Sequence, residues 1–130
     1  MTRADIASCP CGSAKVFAAC CEPYISGAQV APTAEALMRS RYTAFATLAA
    51  DYLLASWHPD TRPTRVRLDE DQRWIGLSIK DTEAGGDNDS EGIVEFVARF
   101  KVNGRGHRLH ERSRFEKIDG RWYYLNGDHL

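Results

Sequence analysis

The amino-acid sequence predicts an α+β protein: a short cysteine-rich N-terminal knuckle followed by helices packed on one face of a curved antiparallel β-sheet. Three observations predict it. All four cysteines, Cys9, Cys11, Cys20 and Cys21, lie close together near the N-terminus. Apolar residues then recur at helical spacing between Ala34 and Leu48. From Trp74 onward the period changes to alternation, broken by glycine-containing turns. With 130 residues, 43% of them hydrophobic, the chain is long enough for one domain with a real core besides the knuckle. The expected division is a knuckle over 1–25 and a larger α+β domain over 33–130, joined by the linker 26–32.

In the knuckle, Cys-x-Cys is followed by an eight-residue gap and Cys-Cys. Four thiolates this close suit a tetrahedral site for a soft metal ion, and zinc is the commonest such ion. One structural Zn2+ held by Cys9, Cys11, Cys20 and Cys21 is therefore expected. An iron–sulfur or redox-sensing role and a pair of disulfides are the competing readings. Disulfide frameworks belong mostly to secreted chains, and Met1–Ile6 contain no apolar run of signal-peptide length. A reducing, cytoplasmic location is expected. Adjacent cysteines such as Cys20 and Cys21 also bond to each other only with strain. Pro10 stiffens the first pair and Gly12 permits a tight turn. Ser13 is placed to cap a short helix over residues 14–19, which would bring Cys20 and Cys21 back to the ion, and Pro23 would stop further helix. Lys15 would offset the negative charge of the thiolates, and Phe17 would anchor the knuckle on the main domain. The run Cys9-Pro-Cys-Gly-Ser13, with Lys15, Phe17 and Cys20-Cys21, resembles the SEC-C zinc motif. That motif is named for the tail of the SecA translocation ATPase, where it is lysine-rich and contacts the SecB chaperone. Here Ala14, Val16, Ala18 and Ala19 stand at positions that are often basic there.

Thr33 is the expected N-cap of a helix over 34–48, with Glu35 favourably placed in its first turn. Ala34, Met38, Tyr42, Phe45, Ala49 and Tyr52 mark one face, flanked by Leu37, Arg41, Ala44 and Leu48. A second short helix is expected over 51–57, and His58-Pro59-Asp60-Thr-Arg-Pro63 breaks it. The first strand, Trp74–Ile79, should turn Ile75, Leu77 and Ile79 to one side. An exposed loop over 85–90 leads to a second strand, Gly92–Val102, with Val94, Phe96, Ala98, Phe100 and Val102 on one face. Turns at 103–106 and 119–120 flank a third strand, His107–Ile118, and the fourth covers Trp122–Asn126.

The order of helices and then curved antiparallel hairpins resembles the nuclear-transport-factor-like, or cystatin-like, cone. Ala34-Glu-Ala-Leu-Met-Arg-Ser-Arg-Tyr42, Trp57-His-Pro59, Trp74-Ile-Gly-Leu77, Val94-Glu-Phe96, His110-Glu-Arg-Ser-Arg-Phe115 and Trp122-Tyr-Tyr124 together resemble the YchJ family over nearly the whole chain. The resemblance implies a SEC-C knuckle joined to such a cone and assigns no biochemical role. Members often carry a second knuckle at the C-terminus; no cysteine follows Cys21 here, so none is expected.

In the third strand Leu109, Glu111, Ser113 and Phe115 share a face, and His110, Arg112, Arg114 and Glu116 share the other. The first set has apolar ends and should face the helices, placing Glu111 and Ser113 in an apolar concavity. A buried carboxylate is costly unless paired, and Arg39, Arg41 and Tyr42 are the expected partners. Two readings follow. In one, Glu111 and Arg41 form a buried salt bridge; in the other, Arg39, Arg41, Tyr42, Glu111 and Ser113 line a ligand pocket, with Glu111 able to act as acid or base.

Charge is nearly balanced, 17 basic against 18 acidic residues, and no basic stripe argues for nucleic acid. No run is long and apolar enough for a membrane helix. His58 reads as a packing or capping residue and His110 as pointing away from the concavity. Asp87, Asp89 and Glu91 lack the later ligands of a calcium loop, and Trp57, Trp74 and Trp122 read as core. The expected function is a zinc-binding module that recognises a protein partner or a small ligand. The alternative is a small enzyme of isomerase, dehydratase or hydrolase type working in the cone. A homodimer through the outer face of the sheet is a further expectation.

Overall fold

The computed structural model describes residues 7–130; Met1–Ile6, the stretch without a signal-peptide run, lie outside it. A 3-10 turn covers Phe17–Ala19, followed by three helices, α1 (Glu22–Ile25), α2 (Ala34–Ala46) and α3 (Ala50–Ala55). Four strands come next: β1 (Gln72–Ala84), β2 (Glu91–Val102), β3 (Arg105–Ile118) and β4 (Arg121–His129). The strands pair antiparallel in the order β1-β2-β3-β4. Both tight turns are two-residue connections with positive φ throughout, Asn103-Gly104 and Asp119-Gly120, the geometry that matches strand twist.

The helix α2 begins as expected: the Thr33 hydroxyl accepts from the Ala36 N–H at 3.0 Å. It packs on β1, β2 and β4, burying Ala34, Leu37, Met38 and Tyr42. It ends earlier than the apolar period suggests, because Leu48 turns to φ +62 and is exposed. The chain then re-enters helix as α3, which stops at Ala55, short of Trp57. Residues 56–58 run alongside β4 as a short parallel extension of the sheet, with the His58 N–H donating to the Tyr124 carbonyl at 2.7 Å and the Tyr124 N–H to Ser56 at 2.9 Å.

Three sequence expectations fail locally. In β1 the register shifts between Trp74 and Gly76. This bulge turns Ile75 out to solvent, 56% exposed, and brings Trp74 inward beside Leu77 and Ile79. Simple alternation cannot anticipate it, because one extra residue reverses the face of everything on one side. In the knuckle, residues 14–19 form no helix capped by Ser13. Ser8 and Val16 instead bridge antiparallel, with the Cys9 N–H donating to Lys15 and the Phe17 N–H to Ala7, both at 2.8 Å. The hairpin closes through Gly12 at φ +79 and Ala14 at φ +70. Pro23 starts a helix rather than stopping one: it lies in the first turn of α1, where its missing N–H costs nothing.

The knuckle is not a separate bead. Cys9, Cys11 and Cys21 are buried in the same apolar cluster as Ala31, Ala34, Leu37 and Met38, and Phe17, Tyr24 and Ile25 pack against it. No helix among the described residues is long and apolar enough to cross a membrane.

Candidate functional site

Two groups of chemistry-bearing residues lie on opposite sides of α2. The first is the cysteine cluster. The hairpin carries Cys9 and Cys11, the 3-10 turn delivers Cys20, and Cys21 precedes α1. All four Sγ atoms lie within 4.8 Å of one another, Cys11 and Cys20 at 3.7 Å and Cys20 and Cys21 at 3.9 Å. A tetrahedral site with metal–sulfur bonds of about 2.3 Å has sulfurs about 3.8 Å apart, so the four residues fit a metal ion. All four are free cysteines.

Polar groups surround the sulfurs. Ser13 Oγ lies 3.1 Å from Cys20 Sγ and Thr43 Oγ1 3.7 Å from Cys9 Sγ. Arg39 donates to the Cys11 carbonyl at 2.9 Å, and its Nη1 lies 3.9 Å from the Cys11 sulfur. A hydrogen bond with Cys21 holds the Cys11 thiol well below its usual range, and the same bond together with burial pushes Cys21 up. Binding a cation would require all four thiols to give up their protons. Arg39 is the cation placed directly at a sulfur, while the exposed Lys15 lines the same groove as Cys20 and Cys21. Arg39, expected in the cone, is held here by Glu35 at 3.0 Å and by the knuckle backbone. On α2 it stands two residues from Arg41, on a different face.

The second group lines a cavity of about 270 Å3 between α2, the 56–72 segment and the concave face of the sheet. Arg41, Tyr42 and Glu111 are on its walls. Ser113 stands behind Glu111, bonded to its Oε2. The anticipated Glu111–Arg41 salt bridge does not form. Tyr124 stands between them: its hydroxyl lies 3.5 Å from Glu111 Oε2, and its ring centroid is 4.7 Å from the Arg41 guanidinium carbon. Arg41 instead donates through Nη1 to the Leu53 carbonyl at 2.8 Å and to Ser56 Oγ at 2.6 Å. Its guanidinium carbon also lies over Trp57, 5.0 Å from the ring centroid. Burial draws the guanidinium down to about 10, which leaves it charged at neutral pH. Glu111 Oε1 faces His129 Nε2 at 3.6 Å.

Tyr124 and Trp57 were not among the residues anticipated for the pocket. Tyr124 shares the inward face of β4 with Trp122, a signal present in the alternation. Trp57 is placed by the pairing of 56–58 with β4, which no local pattern encodes. The apolar remainder of the wall includes Phe45, Trp74 and Phe96, with Trp74 edge-on to Tyr42 at 5.6 Å.

Burial pushes Tyr42 and Tyr124 up to about 12, and the Glu111 carboxylate reinforces the rise at Tyr124. Both folded values exceed the ordinary 10.0. The stability contributed by the neutral phenols is therefore complete below pH 10 and is lost as the pH rises from 10 through 12. An ultraviolet titration of phenolate should show Tyr42 and Tyr124 ionising late; all five tyrosines titrating together near the ordinary value would contradict this.

His58 is buried, with its Nδ1 accepting from the Asp60 N–H at 3.0 Å. Its Nε2 lies 3.4 Å from Glu116 Oε1 without hydrogen-bonding geometry. His110 faces outward and meets Glu95 at 2.9 Å. Neither reaches the cavity. Trp122 is core, donating to the Pro32 carbonyl at 3.2 Å, whereas Trp57 and Trp74 also line the cavity.

Residues 33–127 match the family model described as YchJ, middle NTF2-like domain, and residues 7–23 match the SEC-C motif. A UPF0225 protein of Chromobacterium violaceum is 58% identical over 125 residues, covering 93% of this chain and 92% of its own length. A UPF0225 protein of Streptomyces coelicolor is 51% identical over 122 residues, covering 94% and 95%. Among solved structures, the solution structure of a SEC-C motif containing protein from Rhodopseudomonas palustris gives a TM-score of 0.81 at 36% identity, covering 94% of this chain and 98% of that one. The crystal structure of a SEC-C motif containing protein from Psychrobacter arcticus gives 0.79 at 28% identity, covering 96% and 84%.

Proposed function

Since the chain belongs to the YchJ family and opens on a SEC-C motif, we propose that it is a cytoplasmic zinc-binding module whose cone recognises a small ligand. The observation that carries the zinc assignment is the cluster of four free sulfurs, three of the cysteines buried, at separations suited to tetrahedral coordination. Zinc rather than a harder cation follows from an all-sulfur donor set. With four protein ligands the site is closed and structural, with no position left for a substrate. Arg39 at Cys11, Ser13 at Cys20 and Thr43 at Cys9 would orient the sulfurs and offset the net negative charge of the loaded site. Elemental analysis of protein purified without added metal should find one zinc per chain. Protein that is folded and active in ligand binding with no bound metal would refute the assignment.

The cavity carries the ligand half of the proposal, and its contents favour one second reading. Glu111 is on its wall, hydrogen-bonded by Ser113 and close to Tyr124, so a bound molecule with an acidic or basic centre near it could exchange a proton with the carboxyl. Under this reading Glu111 is the acid or base, and Arg41 and Tyr42 orient the substrate. Ligand binding without turnover by wild-type protein, over a panel of candidate isomerase, dehydratase and hydrolase substrates, would leave only the binding role.

A further inference from the structure

The two charged groups that the wall of the cavity buries are unequally satisfied. Glu111 Oε2 is bonded by Ser113 and approached by Tyr124, and its Oε1 faces His129. Arg41 is 3% exposed, yet only its Nη1 finds acceptors, the Leu53 carbonyl and Ser56 Oγ. Among the described residues, its Nε and Nη2 donate to nothing in the protein, leaving three of five N–H groups of the fork without an acceptor. Trp57, against which the guanidinium stacks, has a buried Nε1 that also lacks a partner. Polar groups without acceptors on a largely desolvated wall cost free energy, and Arg41 and Trp57 both line the cavity.

An anion against Arg41 would satisfy its free N–H groups. One buried guanidinium balances one negative charge, which favours a monocarboxylate over a doubly charged group. The planar fork suits a carboxylate in two-point contact. Glu111 in the same cavity repels a second acid group and so fixes the orientation. Elsewhere on the wall Phe45, Trp74 and Phe96 offer ring edges and faces, while Arg67 and Asp69, both exposed, carry opposite charges that offset each other. A cavity of about 150 Å3 holds benzene, so about 270 Å3 accommodates one ring with a short acidic arm.

We infer that the cone binds a small aromatic carboxylic acid, its carboxylate on the free N–H groups of Arg41 and its ring among Phe45, Trp74 and Phe96. This rests on the reading of the cavity as a ligand site. The test titrates zinc-loaded protein with 3-phenylpropionate and with its uncharged amide and alcohol, by calorimetry and tryptophan fluorescence. The acid should bind at least about tenfold more tightly than either neutral probe, the discrimination of a charge-assisted hydrogen bond. Arg41→Gln should abolish the preference. Ala98→Leu, which fills the cavity from β2, should abolish binding of all three.

Equal affinity for the three probes, lost in Ala98→Leu, would overturn the acid assignment and leave the cavity as a ligand site. Acid binding that persists in Ala98→Leu or in folded Arg41→Gln would overturn the location. No binding of any probe at millimolar concentration would overturn both readings. The comparison of probes on wild-type protein decides the matter even if Arg41→Gln fails to fold.

Discussion

Cys11→Ser should lose bound metal and destabilise the whole chain, not only its first 25 residues. Cys11 is fully buried and contributes the sulfur nearest Arg39. A serine hydroxyl is a poor zinc ligand, and three thiolates left without their ion repel one another. Structural zinc sites in short peptides are worth about 10–16 kcal/mol of apparent binding energy, which is folding energy where the site is not preformed. Residues 7–25 contain one short hairpin, a 3-10 turn and four residues of α-helix, so without metal only their packing on α2 and the Arg39 hydrogen bond hold them. The loss spreads because Cys9, Cys11 and Cys21 pack against Ala34, Leu37 and Met38, which also form the floor of the cone. Unfastening the knuckle exposes that side of α2. Hydrogen exchange on Cys11→Ser should show knuckle amides unprotected and α2 weakened, with a melting temperature well below that of the parent. An unchanged melting temperature would mean that the knuckle hangs free of the cone.

Phe115→Ala should cost about 3–5 kcal/mol, the range for removing a fully buried phenylalanine. Phe115 is 2% exposed and is among the largest fully buried side chains. It lies where β3 and β4 shift register, between Arg114 and Phe115, and its ring meets Tyr124 edge-on at 5.8 Å. The sheet bends there, and a ring at a bend is harder to replace by relaxation than one on a flexible loop. Because a domain of this size is stabilised by only about 5–15 kcal/mol in total, a large fraction should be lost in denaturant melts. Since Phe115 supports Tyr124, the same variant should also loosen the wall between Arg41 and Glu111. A cost below about 1 kcal/mol would show that neighbouring side chains close the space.

Much of this architecture could be read from residue order. The helical period of Ala34, Met38 and Tyr42 and the alternation of Val94, Phe96 and Ala98 each place an apolar face, and burial follows them. The inward set Glu111, Ser113 and Phe115 follows from the same period of two. What escaped depends on contacts between distant segments. Ile75 turns outward because a bulge interrupts β1, and nothing in Trp74-Ile-Gly-Leu77 marks which residue is extra. Residues 14–19 read as helix because alanine favours it, but Ser8 and Val16 pair across the turn and the cysteines close it. Arg39 and Arg41 look equivalent in a linear reading; a rotation of about 200° around the helix sends one to the sulfurs and the other to the cavity. The Glu111–Arg41 pair was the simplest way to neutralise two buried charges, and Tyr124, arriving from β4, separates them.

The measurement that bears most directly on the account is X-ray absorption at the zinc edge of the purified protein. Four sulfur neighbours at about 2.3 Å, with no nitrogen or oxygen in the coordination shell, is the expected spectrum. A shell containing oxygen or nitrogen, or a metal-free protein whose four cysteines are joined in disulfides, would contradict the sulfur-bound ion on which the fold of the knuckle rests.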